Sequence, residues 1–214
     1  MLVLAYQRMA QCRRDKLAEV LQLFTETALE IGEGQQYDME FEQRNDVTEA
    51  EYIEMIRMKT SVLLACALKI GALLAAAPEA DCDNLYRFGE KIGLAFQLQD
   101  DFLDVYGDTK VFGKAIGGDI LAGKKTFMLI NALTHANDSQ RKELEQWLAI
   151  NDRPKEKIEA VTRLYNEIGI DRMATEKIAF YFTESHRYLE AVNVDESRKI
   201  ELRRYAERMM KRQY

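Results

Sequence analysis

The sequence predicts an all-α protein folded as a single domain over residues 1–214. Only two prolines and 11 glycines interrupt the chain, whereas a β-sandwich or barrel needs many turns. Apolar residues recur at helical spacing along most of the chain, and no stretch alternates apolar and polar residues as a strand would. A hydrophobic fraction of 47% and a charged fraction of 31% are typical of a globular chain rather than a disordered or fibrous one.

The first helix boundaries lie in the middle of the chain. Thr48 and Glu51 have the spacing of a capping box, which predicts the start of a long helical segment that ends near Ala77. A second segment covers about 84–106 and is expected to end at Gly107, since glycine commonly follows the last helical turn.

Later boundaries follow the same rules. Asp138 or Ser139 is expected to cap a helix that continues through Trp147, and Pro154 is expected in the first turn of the next helix. Further helical patterns cover 155–168, 171–192 and 196–212.

Two segments are predicted to be connections. Residues 31–47, which contain Gly32 and Gly34, are expected to join two helices. Residues 107–125 contain five of the 11 glycines and four lysines. Because most connections in helical bundles have about 2–8 residues, a long glycine- and lysine-rich loop indicates function.

Charge and cysteine content exclude several classes of protein. The chain has 36 acidic and 30 basic residues and a net charge of −6, which argues against a general nucleic-acid binder. Three scattered cysteines indicate a reduced, cytoplasmic setting, and with two histidines a zinc site is not expected. Residues 60–77 are apolar, but Lys69 in their middle would cost about 3 kcal/mol in a bilayer. They predict a buried helix of a protein that is not an integral membrane protein.

An acidic stripe on the segment 84–106 is the strongest functional signal. Gln97, Asp100, Asp101 and Asp104 occupy positions i, i+3, i+4 and i+7, which form one helical face. The other faces are largely apolar, so the helix is expected to be surrounded by protein. Carboxylates held together in a buried place repel each other. A divalent cation such as Mg²⁺, which binds oxygen ligands and often shares them with substrate phosphates, would offset that repulsion.

Other interpretations of the stripe are weaker. A solvated acidic face would not carry so many apolar neighbours. Glycoside hydrolysis needs two carboxylates on opposite sides of a bond, and an EF-hand needs acidic residues at alternate positions before a glycine. Gly89 and Gly93 border the stripe and are expected to leave space above it.

Lysines supply the complementary charge. Lys114, Lys124 and Lys125 lie in the glycine-rich loop, where backbone and ammonium groups can approach a phosphate or diphosphate. Lys59, followed by Thr60, falls on an otherwise apolar helical face. A lysine there could extend to solvent, pair with a buried acid or bind a ligand.

These motifs together resemble the trans-isoprenyl diphosphate synthase (polyprenyl synthase) family, of the short-chain type that includes geranyl and farnesyl diphosphate synthases. In order along the chain the resemblance rests on GQQYD at 34–38, MKTS at 58–61, FQLQDDFLDVYGD at 96–108, FGKAIGGDI at 112–120 and Lys124.

The resemblance implies a function for each motif. It implies an isoprenoid-synthase-type helical bundle around a central cavity, usually dimeric, that condenses isopentenyl diphosphate with an allylic diphosphate. The resemblance implies that Mg²⁺ is bound by Asp100, Asp101 and Asp104. It implies that the diphosphate is bound by Lys59, Lys114 and Lys124. The implied catalytic residues are Lys59, Thr60 and Gln97, of which Thr60 and Gln97 would lie near the developing carbocation.

The chain departs from the family pattern in one respect. The family has two aspartate-rich motifs, and these 214 residues contain one D-D-x-x-D. The N-terminal helices of the fold are therefore expected to be missing, and the isolated chain is expected to be inactive. The apolar start at Met1–Leu4 is expected to be exposed and to favour a homodimer or a rearranged oligomer. A non-catalytic subunit of a heteromeric synthase and a class I terpene cyclase are the alternative functions.

Overall fold

The computed structural model describes residues 1–107 and 116–211, and this part of the chain is helical, with no strand. The eleven helices found in it are α1 Leu2–Met9, α2 Leu17–Gln43, α3 Glu49–Ile56, α4 Val62–Leu74, α5 Glu79–Tyr106, α6 Gly118–Ala122, α7 Phe127–His135, α8 Asp138–Ala149, α9 Pro154–Ile168, α10 Ile170–Glu190 and α11 Glu196–Lys211. A π-helical turn, Arg57–Ser61, joins α3 directly to α4. The predicted all-α fold class is confirmed.

Helix α5 is the centre of the bundle. Helices α4 and α10 pack along its length, and α2 packs against α4 and the π-helical turn. Several apolar positions predicted on α5 are buried, among them Phe88, Ile92, Leu94 and Leu98, while others are half-buried. Burial on several sides of one helix is what the nearly all-round apolar pattern indicated.

The predicted helix starts are largely correct. Thr48 and Glu51 form the capping box, and Pro154 stands at the start of α9. Helix α8 differs by one residue: Asn137, rather than Asp138 or Ser139, is the N-cap, because its side chain accepts the backbone N–H of Gln140. An amide oxygen and a carboxylate oxygen cap a helix about equally well.

Of residues 31–47, only 44–47 form a connection between helices, so this prediction was wrong for residues 31–43. Helix α2 continues through them to Gln43. Gly34 is required by packing rather than by a turn, since a Cβ there would lie 2.5 Å from the backbone nitrogen of Lys59. Gly34, one of the two glycines that predicted a connection, instead lets α2 approach the π-helical turn.

The space expected above Gly89 and Gly93 is also filled. A Cβ at Gly89 would lie 2.7 Å from Ala65 Cα, and one at Gly93 would lie 2.6 Å from Ser61 Cα. The two glycines therefore let α4 and the π-helical turn approach the backbone of α5.

The π-helical turn changes the face on which later residues lie. Lys59 and Leu63 share a face on a regular helical wheel, but Leu63 is 51% exposed. The backbone N–H of Val62 donates to the carbonyl of Arg57, five residues earlier. One extra residue in a turn rotates the side chains that follow, which explains the exposure of Leu63, although Cys66, which a regular wheel places on the same face, is buried.

Helix α6 lies inside the segment predicted as a loop. Residues 107–125 thus contain a five-residue helix at Gly118–Ala122, and residues 108–115 are outside the described part of the chain.

Within residues 1–107 and 116–211, no helix is both long and apolar enough to cross a membrane. Lys69 pairs with Asp83, with 2.6 Å between Nζ and Oδ1. The expected exposure of Met1–Leu4 is confirmed, since Met1, Leu2, Val3 and Leu4 all lie at the surface.

Candidate functional site

Four side chains form a hydrogen-bonded chain between the π-helical turn, α5 and α3. Thr60 Oγ1 donates to Gln97 Oε1 at 3.2 Å, and Gln97 Nε2 donates to Asp101 Oδ1 at 3.2 Å. The hydroxyl of Tyr52 donates to the other oxygen of Asp101. Thr60 and Gln97, predicted to act together, are therefore in contact, and both oxygens of Asp101 accept hydrogen bonds.

Burial determines the protonation of Asp101 and Tyr52 in this set of hydrogen-bonded side chains. Asp101 is 4% exposed, and burial raises the pKa of its carboxyl from 3.8 to about 7. The hydrogen bonds from Tyr52 and Gln97 and the charge of Lys124 oppose the rise in pKa, while the charge of Asp119 adds to it. Burial and the charge of Asp101 raise the pKa of Tyr52 well above 10, so the tyrosine stays a donor at neutral pH.

Asp104 joins the end of α5 to α6. Its Oδ2 accepts the backbone N–H of Asp119 at 2.9 Å, and its carbonyl accepts the backbone N–H of Gly117 at 2.6 Å. Gly117 has φ +84°, a left-handed conformation that favours glycine. A Cβ at Gly118 would lie 3.3 Å from Asp104 Oδ1. The Gly-Gly-Asp sequence is thus what lets α6 begin on the Asp104 carboxylate.

Asp119 and Lys124 complete this side of the site. Lys124 Nζ lies 3.9 Å from Asp119 Oδ1. Burial raises the pKa of Asp119, the charge of Lys124 opposes it, and the charges of Asp104, Asp100 and Asp38 add to it. Burial alone would lower the pKa of Lys124, but the surrounding carboxylates raise it overall, so this lysine is held charged.

Asp119 thus interacts electrostatically with four other carboxylates, and we call the five the carboxylate cluster: Asp38, Asp100, Asp101, Asp104 and Asp119. Asp38 and Asp119 lie in motifs that support the family resemblance, but the sequence reasoning gave them no role. The signal that could have found them is their position in GQQYD and GGD, two motifs that already contributed to the resemblance.

Lys59 is paired with one member of the cluster. Its Nζ donates to Asp38 Oδ2 at 2.5 Å, and the two side chains are 32% and 18% exposed. Of the three states that the sequence left open for Lys59, the structure has the ion pair with an acid. The π-helical turn brings Lys59 to α2, and such turns often occur at functional sites.

The two neighbouring lysines of the loop point to different places. Lys124 faces the carboxylate cluster, whereas Lys125 donates to the carbonyl of Glu42 at 3.2 Å and lines a surface cleft with His135 and Arg141. Of the two lysines expected to contribute to a phosphate site, only Lys124 lies beside the carboxylate cluster, and its role there stays a prediction. Lys114 lies outside the described residues.

The donor set is suited to a hard cation that shares its ligands with a phosphate. In the described ranges, no three acidic, histidine or cysteine side chains converge to hold a metal ion between them. Mg²⁺ usually binds one or two carboxylates together with substrate phosphates, rather than a complete protein cage. Asp100 and Asp104, half-buried and one turn apart on α5, fit this requirement. Asp101 lies beneath them with both oxygens bonded to protein.

Comparisons with known proteins agree with the resemblance drawn from the motifs. Residues 1–168 match the family model described as Polyprenyl synthetase. The chain is 42% identical over 138 residues to a short chain isoprenyl diphosphate synthase of Methanothermobacter thermautotrophicus, covering 64% of this chain and 42% of the relative. It is 32% identical over 200 residues to a geranylfarnesyl diphosphate synthase of Natronomonas pharaonis, covering 94% of this chain and 57% of the relative.

Solved structures share the fold over almost the whole chain. A geranylgeranyl pyrophosphate synthase matches with a TM-score of 0.92 and 35% identity, covering 100% of this chain and 66% of that one. The synthase of Corynebacterium glutamicum, complexed with isoprenyl diphosphate and magnesium, matches with a TM-score of 0.89 and 27% identity, covering 99% of this chain and 61% of that one. The chain thus spans less than two thirds of the length of these proteins.

Proposed function

The chain belongs to the polyprenyl synthetase family, and on that premise we propose that its carboxylate cluster and lysines bind the diphosphate of an allylic substrate together with Mg²⁺. The observation that carries the proposal is the crowding of carboxylates near Lys124 at the end of α5: Asp38, Asp100, Asp101 and Asp119 raise its pKa, and Asp104 acts on Asp119. Such crowding is electrostatically unfavourable without added positive charge. The related synthase of Corynebacterium glutamicum, which was crystallised with isoprenyl diphosphate and magnesium, supports this choice of ligands.

The lysines are assigned to the diphosphate. Lys124, half-buried and held charged by the cluster, would bind phosphate oxygens directly. We expect Lys59 Nζ to exchange the Asp38 carboxylate for a phosphate oxygen when substrate binds. Lys114 is proposed as a third ligand from its place in the FGKAIGGDI motif.

The carboxylates of α5 are assigned to the metal in two ways. Asp100 and Asp104 would hold Mg²⁺, which would neutralise the charge that develops on the departing diphosphate. Asp101 would keep them in place from below, because Tyr52 and Gln97 fix both of its oxygens.

In the proposed reaction the allylic C–O bond breaks, and its electron pair leaves with the diphosphate. The double bond of isopentenyl diphosphate attacks the allylic cation, and loss of a proton completes the condensation. Thr60 donates its hydroxyl hydrogen to Gln97, so lone pairs of Thr60 Oγ1 remain to stabilise positive charge nearby. Lys59 and Lys124 stabilise the leaving group.

These 214 residues contain one aspartate-rich motif of this type. We therefore propose that the isolated chain binds diphosphate but condenses little or no substrate by itself. Met1–Leu4 on the surface favour association, with a second copy or with a larger synthase as a non-catalytic subunit. Light scattering and co-purification distinguish the two, and a clean monomer with no partner would contradict both.

Titration calorimetry with inorganic diphosphate and Mg²⁺ tests the site. In the variant Asp100→Ala/Asp104→Ala the affinity should fall at least about tenfold, as is usual when groups around a metal are lost. Glu145→Ala/Glu159→Ala, which removes two exposed carboxylates from α8 and α9, is the matched control and should bind as the wild type does. Equal affinities in the three proteins would refute the proposed site.

A further inference from the structure

Lys157, in the first turn of α9, is a buried lysine that the proposed reaction does not use. It is 1% exposed and forms no ion pair with any carboxylate of the described ranges. Two physical effects disfavour its charge there: burial, which lowers the pKa of its ammonium, and the partial positive charge at a helix N-terminus. A lysine in such a place needs compensating acceptors.

The compensation comes from the ends of two other helices. Lys157 Nζ donates to the carbonyl of Leu148 at 3.1 Å and to the carbonyl of Leu121 at 3.4 Å. Leu148 lies in the last turn of α8 and Leu121 in the last turn of α6. Carbonyls of a last turn lack partners within their helix and carry partial negative charge. One ammonium group therefore caps two helix C-termini.

Helix α6 depends on such contacts because it has five residues, and isolated helices shorter than about 12 residues are marginal in water. At its N-terminal end, Gly117 and Asp119 donate to Asp104. At its C-terminal end, Lys157 binds Leu121. Asp104 and Lys157 thus hold the two ends of the helix that carries Asp119 and precedes Lys124.

The same turn of α9 also packs on the start of α6. A Cβ at Gly117 would lie 2.7 Å from the side chain of Ile158, the residue after Lys157. Helix α9 consequently contacts α6 at both ends, through an apolar side chain at one and an ammonium group at the other.

We propose that Lys157 is a positioning residue, which fixes α6 so that Asp119 lies beside Asp104 and Lys124 beside Asp119 in the diphosphate site. It acts through the backbone of α6 and touches neither substrate nor metal. This role in ligand binding rests on the function proposed above, whereas the anchoring of α6 does not.

Hydrogen exchange followed by mass spectrometry tests the anchoring without any ligand. Lys157→Met keeps the length of the side chain and removes its charge, and should increase exchange selectively in peptides covering 116–127 and the end of α8. Lys155→Met, an exposed lysine two residues earlier, is the control and should leave these peptides unchanged. An unchanged pattern in Lys157→Met, or a uniform increase over the whole chain, would overturn the proposal.

Diphosphate affinity with Mg²⁺ tests the consequence for the site. Lys157→Met should bind inorganic diphosphate about tenfold or more weakly, while Leu144→Ala, which opens the core of α8 at a fully buried position, should lower thermal stability and retain affinity. An equal loss of affinity in the two variants would overturn the positioning role.

If the wild type itself fails to bind, the proposed function is wrong and the exchange result still decides the anchoring. Should Lys157→Met not fold, Lys157→Gln, which can donate to one carbonyl, replaces it with the same expected order of effects.

Discussion

Replacing Asp101 by asparagine should remove a specific pH dependence of stability. Burial raises the pKa of this carboxyl from 3.8 to about 7 in the folded protein. A raised folded-state pKa means that the folded protein binds the proton more tightly than the unfolded chain. This carboxyl therefore lowers stability as pH rises from about 4 to about 7. One pKa unit corresponds to about 1.4 kcal/mol, so the rise in pKa corresponds to a loss of about 4 kcal/mol in the free energy of unfolding.

The magnitude can be estimated by comparing two proteins, since the groups outside the carboxylate cluster are common to both. The asparagine amide is uncharged like the protonated carboxyl but has one acceptor oxygen in place of two, so Asp101→Asn should be within about 1 kcal/mol of the wild type at pH 4. At pH 8 it should be more stable by about 4 kcal/mol. Urea unfolding at pH 4, 6 and 8 in the presence of EDTA measures the difference, and Asp152→Asn, an exposed position, is the control. If the free energies of unfolding of the wild type and of Asp101→Asn changed with pH in the same way, the raised pKa of Asp101 and burial as its cause would be refuted.

Three further predictions concern packing, binding and metal. Gly34→Ala should destabilise the fold by about 1–3 kcal/mol in urea unfolding, because the new Cβ would meet the backbone of Lys59. Gly32→Ala is the control: its new Cβ would have nothing within 4 Å, so it should stabilise the fold by about 0.5–1 kcal/mol. Similar effects of the two substitutions would contradict the close approach at Gly34. Lys124→Met should weaken diphosphate binding about tenfold in calorimetry while Lys125→Met should not, and the reverse order would show that the site lies elsewhere. Removing Mg²⁺ with EDTA should abolish most diphosphate binding by the wild type, and metal-independent binding would contradict the shared ligands.

The parts of the candidate site whose arrangement follows from the sequence are those that depend on one helix. Gln97, Asp100, Asp101 and Asp104 share a face because of helical periodicity, and their apolar neighbours indicated burial. The difference between Asp101, whose oxygens are bonded to protein, and the candidate metal ligands Asp100 and Asp104 depends on tertiary contacts. The two hydrogen bonds that fix Asp101 come from α3 and from its own helix, and the partner on α3 is 49 residues away in sequence.

The errors have a similar origin. Gly32 and Gly34 suggested a connection because glycine disfavours helices, but the contact with Lys59, 25 residues later, makes glycine necessary at position 34. The exposure of Leu63 does not follow from a regular helical wheel, because the π-helical turn leaves no periodic trace in the sequence. Local patterns cannot register a close approach of two helices or the insertion of one residue in a turn.

The π-helical turn also makes the spacing between Tyr52 and Ser61 intolerant of change. Deleting one residue from Arg57–Ser61 would restore a regular α-helix, in which each residue advances by about 100°. Everything before the deletion would then be rotated by that angle relative to α4. If Ser61 is the residue deleted, Tyr52 would turn away from Asp101 and Lys59 from Asp38, although every residue of the site was still present. A single-codon deletion here should therefore be as damaging as the loss of a site residue, whereas the exposed α8–α9 connection should accept the same deletion.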